Sequence, residues 1–396
     1  MSPIVARWLP TLIVALTSAL LIGKTIQVQQ AYSYQDLLPF YPDLLRYFES
    51  SVWVTDLGGH GTLYREIFSE YPLMANLLFA VVRWANIPFG NSFVGFSVLW
   101  IICAALCTVT LCTILLRVSE QINPHNNLWV LAFACLTPGV LHFALLRFDI
   151  YPAFATLGMM ICLYRRAYLQ AGLWTGLGIA LKGYPVFLVP AILLYIQGQG
   201  STRSVLRFLL MTIAIPLLSL LAVYAFAGIE GLLSPFQFHG QRDFNPDSSY
   251  TLLRYLLQMP LHSNDLSPLP LVLQALCVGI PLFFRPKTFD ALIQALAFTL
   301  SGVLSFSVFY SPQFIIWLLP ITGLSRNRST QFWLLTYALW TGMYFVVEAF
   351  KTTESLVVLV TGLVLLRFAL MASALRKIRT PMLENTTKCE ARSGLR

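Results

Sequence analysis

Residues 36–72 read DLLPFYPDLLRYFESSVWVTDLGGHGTLYREIFSEYP. The stretch is polar in a chain that is mostly apolar. It holds six of the 17 acidic residues, Asp36, Asp43, Glu49, Asp56, Glu66 and Glu70, beside Arg46, Arg65 and His60. Tyr41-Pro42-Asp43 marks a helix start, because proline fits the first helical turn. A helix from there puts Asp43 and Tyr47 on one face, four residues apart. Gly58-Gly59-His60-Gly61 ends it. A second short amphipathic helix is expected over 62–69, and both should lie along a membrane surface.

Outward from this stretch the sequence turns hydrophobic. The 396 residues are 57% hydrophobic and only 11% charged, where a soluble domain carries about 25% charge. Repeated apolar runs near ~20 residues predict an all-α, multi-pass membrane protein. Strands of a membrane barrel would alternate polar and apolar residues, and these runs do not. The first span is read at 8–28. The others fall near 93–116, 127–145, 150–164, 171–182, 184–197, 205–227, 266–284, 289–309, 312–324, 330–347 and 355–375, about 12 transmembrane helices with the first. Residues 1–375 then form one domain, with 28–92 as its first outer loop and 376–396 as a basic tail.

Tyr71–Ile87 decides the topology. It is apolar but short, and contains Asn76, Arg83 and Asn86. If it dips in and stays on the outer side, Arg165-Arg166, Arg203 with Arg207, Arg285 with Lys287, Arg326 with Arg328 and the tail all fall inside. Short cytoplasmic loops are rich in Lys and Arg, so this reading is preferred, with both termini cytoplasmic in the cell membrane. The formal net charge of +9 is then an effect of topology, and no nucleic-acid partner is inferred. The seven cysteines lie mostly in apolar runs without paired spacing, so neither disulfide nor metal is read from them.

This topology gathers polar groups at the outer face: the 36–72 stretch, Arg147-Phe148-Asp149, Lys182-Gly183-Tyr184-Pro185, a loop at 228–250 with His239 and Arg242, and the corner Tyr310-Ser311-Pro312-Gln313-Phe314. Charges at a lipid boundary are costly unless they pair or face a wet cavity. Together they suggest a polar cavity opening outward. Group transfer from a phosphate-linked lipid suits it. A carboxylate takes the proton of an attacking hydroxyl, and fixed cations stabilise the departing phosphate. Asp43, near a helix N-terminus, tends to stay ionised, as a base must. Arg147, Lys182 and Arg242 are candidates for the phosphate. His239, Glu70, Tyr47, Asp149 and Gln313 are further cavity candidates.

Each has a plainer reading. Asp43 can neutralise Arg46, Arg147 and Asp149 can pair with each other, and Lys182 can snorkel to the interface. Ser311-Pro312-Gln313 can serve only as a helix start. A transporter or lipid flippase is the alternative function. Transporters, however, set ionisable groups near the bilayer midplane, often in repeated halves.

Asp43 with Tyr47, Glu70-Tyr71-Pro72-Leu73, Arg147-Phe148-Asp149, the run Ala171 to Leu177 leading to Lys182-Gly183-Tyr184-Pro185, and Ser311-Pro312-Gln313-Phe314 with Trp317 carry a resemblance. From about residue 10 to 370 the chain resembles the membrane-integral GT-C glycosyltransferases. It is most similar to glycosyltransferase family 87 (DUF2029), the polyprenyl-phosphate-dependent group that contains bacterial α-mannosyltransferases. The resemblance implies a helical scaffold with an outward-facing site, an inverting hexosyl transfer, and a base at the position of Asp43. It also implies a polyprenyl-phosphate sugar donor, with mannose one candidate, a lipid-linked or cell-envelope acceptor, and no metal or nucleotide cofactor. Two positions depart from the family pattern. Leu73 follows Pro72 where a second proline is common. Gln313-Phe314-Ile315-Ile316-Trp317 follows the Ser-Pro corner where some mycobacterial members carry histidines.

Overall fold

The computed structural model describes residues 3–31, 41–55, 61–124, 128–199, 201–259, 262–350 and 352–393. Asp36, Asp56 and Gly58-Gly59-His60 lie outside them. The described chain is helical and contains no strand. Its helices are α1 (Pro3–Ala31), α2 (Pro42–Ser50), α3 (Leu73–Ala85), α4 (Phe93–Ile122), α5 (Leu128–Leu136), α6 (Pro138–Leu146), α7 (Ile150–Tyr164), α8 (Tyr168–Leu181) and α9 (Val189–Gln199). There follow α10 (Thr202–Gly240), α11 (Ser249–Leu257), α12 (Leu269–Phe283), α13 (Phe289–Ser305), α14 (Ile315–Thr322), α15 (Arg328–Trp340), α16 (Met343–Phe350) and α17 (Thr353–Ser393). Four helices are long and apolar enough to cross a membrane, α1, α4, α10 and α17. The bent pair α5–α6 makes a fifth if it counts as one span. These apolar helices mark a membrane protein.

Local signals set many of these bounds. Ser92, Ser248 and Thr288 accept hydrogen bonds from the backbone N–H three residues on, and so open α4, α11 and α13. Proline starts α2 and α6. Pro138 also breaks the 127–145 run, since the residue before a proline avoids helical geometry. The two halves meet at 56°.

Close packing on α8 places the wall of the later site. A Cβ on Gly172 would sit 2.3 Å from the carbonyl oxygen of Phe208, and one on Gly176 would sit 2.7 Å from that of Met211. Glycines four apart on one helix face let two backbones approach, as membrane helix pairs require. α10 therefore lies tightly along α8.

The bundle has two distinguishable ends. At one, Arg166 donates to Gln199, Gln199 donates to the carbonyl of Lys287, and Arg326 donates to the carbonyl of Ile122 and to Asp290. At the other, α6, α8 and α10 finish and α14 begins. Helix α3 bonds to residues of the 41–72 segment through side chains near both its ends. Its Asn76 donates to Tyr64 and Tyr71 beside the first turn. Its Arg83 donates to the carbonyl of Phe48, whose ring also meets Phe93 at the start of α4. With 13 residues, α3 is about 20 Å long, short of the ~30 Å hydrocarbon core.

Two expectations need correction. Residues 62–69 form no helix. Gly61 and Tyr64 take positive φ of 95° and 69°, the Thr62 carbonyl accepts from Arg65, Glu66 and Ile67, and Leu63 bridges to Ile67. The Glu66 carboxylate accepts the Thr62 N–H at 2.6 Å, so the segment closes on itself as a turn, and this bond holds the Glu66 carboxyl below its ordinary pKa. The α2 helix buries one face, with Leu44, Leu45, Tyr47 and Ser50 inside the protein, and leaves Arg46 on the other face half exposed. The expected loop at 228–250 is helical to Gly240, because two helical segments join across Gly228 at φ 69°, ψ −169°. Just past that stretch, Ser249–Leu257 forms the helix α11.

Candidate active site

One cavity of about 720 Å³ opens where these helix ends meet. Asp43, Arg46, Tyr47, Glu70, Arg147, Lys182, His239, Arg242 and Gln313 all line it. Of the predicted set, only Asp149 stands behind the wall, fully buried. Residues from six separate stretches of chain therefore converge at one place.

The electrostatics follow from where the helices stop. Arg147 is the residue after α6, and Lys182 is the residue after α8. Arg242 lies two past the end of α10. Helix C-termini carry partial negative charge and favour cations there. Asp43 lies in the first turn of α2, at the end that favours an anion. The dipoles thus stabilise every one of these charges in place.

The pairing is not the one closest in sequence. Arg147 forms an ion pair with Asp43, their side chains 20% and 13% exposed. Arg147 and Asp149 do not bond to each other. Asp149 instead accepts from Lys182 Nζ and from Trp317 Nε1, both at 2.7 Å and both on Oδ1. Lys182 Nζ also faces the rings of Phe148, Phe314 and Trp317 at 4.5, 5.2 and 5.0 Å. Aromatic faces stabilise a cation that has left water.

Arg46 does not neutralise Asp43. It donates to Glu70 Oε1 at 2.9 Å, and Arg242 donates to Glu70 Oε2 at 2.6 Å. His239 Nε2 lies 3.2 Å from the Glu70 carbonyl oxygen. Glu70 therefore ties α2 to the end of α10. Arg242 lies over Phe238 and Phe309. Asp243, next to it, bonds the His262 ring at 2.9 Å. That bond lowers the Asp243 carboxyl to about 2.

Tyr47 holds the floor. It is buried, stacks on Phe79 at 4.3 Å, and accepts the Phe148 N–H at 3.4 Å. This fixes the backbone between Arg147 and Asp149. The opposite wall is apolar: Pro216, Leu220, Val223, Leu232 and Phe236 of α10, with Ile179 and Ala180 of α8. Leu220 and Phe236 of this wall are exposed.

Sequence reasoning missed this wall and the role of Arg46. Arg46 was findable, since it lies three residues from Asp43 on the same helix face. The α10 wall had no signal, because its residues look like any other span. No group of three or more His, Cys, Asp or Glu among the described residues is placed to hold a metal ion.

A helical membrane protein with a charged, carboxylate-bearing cavity beside an apolar wall is the class that fold and site define. Glycosyltransferase family 87 matches residues 68–312. The match spans more than half of the chain, and the chain belongs to that family. No curated protein and no solved structure matches it. Membership makes the protein a glycosyltransferase, with a sugar donor and an acceptor.

Proposed function

We propose that the chain is an inverting GT-C-type enzyme of about 12 membrane passes. It moves a hexose, mannose being one candidate, from a polyprenyl-phosphate donor to a hydroxyl of a lipid-linked or cell-envelope acceptor. One observation carries the reading. Cations at the ends of α6, α8 and α10 share a cavity with the first-turn carboxylate Asp43 and with an apolar wall built from α8 and α10. Cations outnumber carboxylates around the cavity, which suits an anionic phosphodiester.

In this mechanism the acceptor oxygen attacks the anomeric carbon. The bond from that carbon to the phosphate oxygen breaks, and polyprenyl phosphate leaves with the electron pair. Asp43 takes the acceptor proton. Arg147, Lys182 and Arg242 stabilise the charge that grows on the phosphate. The polyprenyl chain lies along α10. The basic clusters at the opposite end of the bundle support a cytoplasmic location for that end and for both termini.

The test is transfer itself. Purified protein in lipid receives radiolabelled polyprenyl-phosphate hexoses together with extracted membrane lipids and envelope glycans. Label appearing in a new lipid or glycan product supports the proposal. Label that crosses vesicles without any new covalent product would mean a transporter and sink it.

A further inference from the structure

Gln313 has a feature that phosphate binding does not use. The residue is 7% exposed and lines the cavity. Its side-chain Oε1 is buried and has no hydrogen-bond partner among the described residues. Nor is the turn that carries it a loose end. Pro312 opens the 3₁₀ turn Pro312–Phe314 that carries it. The next ring, Phe314, stacks on Trp317 at 4.0 Å, and Trp317 is bonded to Asp149. The backbone at Gln313 is thereby anchored to the Asp149–Lys182 pair.

A buried acceptor without a donor is unfavourable, and native structures seldom keep one without a reason. The missing partner must donate. A phosphate diester cannot, since its free oxygens only accept. A sugar hydroxyl can. The surroundings fit a sugar ring: Phe148 and Phe314 line the same cavity and offer flat apolar faces to its C–H groups. Lys182 Nζ lies 5.2 Å from the Phe314 ring centre, so a phosphate held by Lys182 leaves its attached sugar beside Gln313.

We infer that Gln313 determines sugar specificity by accepting a hydrogen bond from one hydroxyl of the donor hexose. This rests on the lipid-phosphate-sugar reading above and adds to it a contact that separates one hexose from another. Sites built to bond a particular hydroxyl discriminate strongly against ligands that lack it.

The experiment measures binding of the full-length protein in lipid nanodiscs, without acceptor. The probes are sugar-free polyprenyl phosphate, its mannosyl, glucosyl and galactosyl esters, and monodeoxy analogues of whichever ester binds tightest. Gln313→Leu should weaken that ester about 10-fold, roughly the value of one hydrogen bond to a buried partner. Its affinity for sugar-free polyprenyl phosphate should not change, which also shows that the variant is folded. One monodeoxy analogue should bind the wild type as weakly as the parent ester binds the variant. The variant should not distinguish that analogue from the parent. Equal loss of both lipid classes, or a variant that still discriminates, overturns the assignment of Gln313 and leaves lipid-phosphate binding standing. A wild type that binds no polyprenyl phosphate overturns both readings.

Discussion

Arg147 closes on Asp43: the residue just past α6 pairs with the first-turn carboxylate of α2. Both side chains remain on the cavity wall. The pair holds the Asp43 carboxylate in position, and under the function proposed above its cation is the one that meets the donor phosphate.

Asp43→Asn should lower transfer by at least ~100-fold, the lower end for loss of a proton-transfer group. Binding of sugar-free polyprenyl phosphate should survive, because the cations remain. Single-turnover rates beside equilibrium binding check both halves. Equal rates in the two proteins would remove Asp43 from the chemistry.

Lys182→Met leaves Asp149 fully buried with only Trp317 to bond it. An uncompensated buried charge costs about 3–5 kcal/mol. Adding Asp149→Leu should recover most of that loss while binding of lipid phosphate stays lost. Thermal unfolding of the two single variants and the double variant in detergent measures the coupling. A single variant as stable as wild type would contradict the pairing.

Gly228→Ala tests the bend in α10. No atom lies within 4 Å of a Cβ built there, so the cost is backbone alone. At φ 69°, ψ −169°, the position belongs almost only to glycine, and alanine is strained by about 1–3 kcal/mol. Straightening α10 moves His239 and Arg242 off Glu70. Transfer and melting temperature should fall together. A variant with wild-type transfer would show that the bend does not position the site.

Cysteine labelling tests on which side α3 ends. Phe89, just past α3, and Arg65, before it, are both exposed. Single cysteines at these two places should react from the same face of sealed vesicles, and Arg166→Cys from the opposite face. Reaction of Phe89→Cys with the Arg166→Cys face would mean that α3 crosses completely.

Much of the scaffold was legible because its causes are local. Apolar runs gave the helices, and Ile150–Tyr164 was read to its exact bounds because Asp149 and the Arg165-Arg166 pair mark where lipid-compatible sequence stops. The four-residue spacing placed Asp43 and Tyr47 on one face of α2, and both line the cavity. The turn at 62–69 was not legible. A carboxylate that caps its own segment and a residue at positive φ outweighed an amphipathic pattern.

By its own composition and periodicity, then, the sequence determined a helical chain for lipid, with its ionisable groups collected at helix ends. Only the tertiary structure decided who pairs with whom: Arg147 with Asp43, Lys182 with Asp149, and Glu70 between Arg46 and Arg242. The reason is distance. Hydrophobicity acts residue by residue and is written along the chain. An ion pair depends on helix crossings that bring remote residues within a few ångströms, and those are fixed by packing such as that of Gly172 and Gly176 against α10.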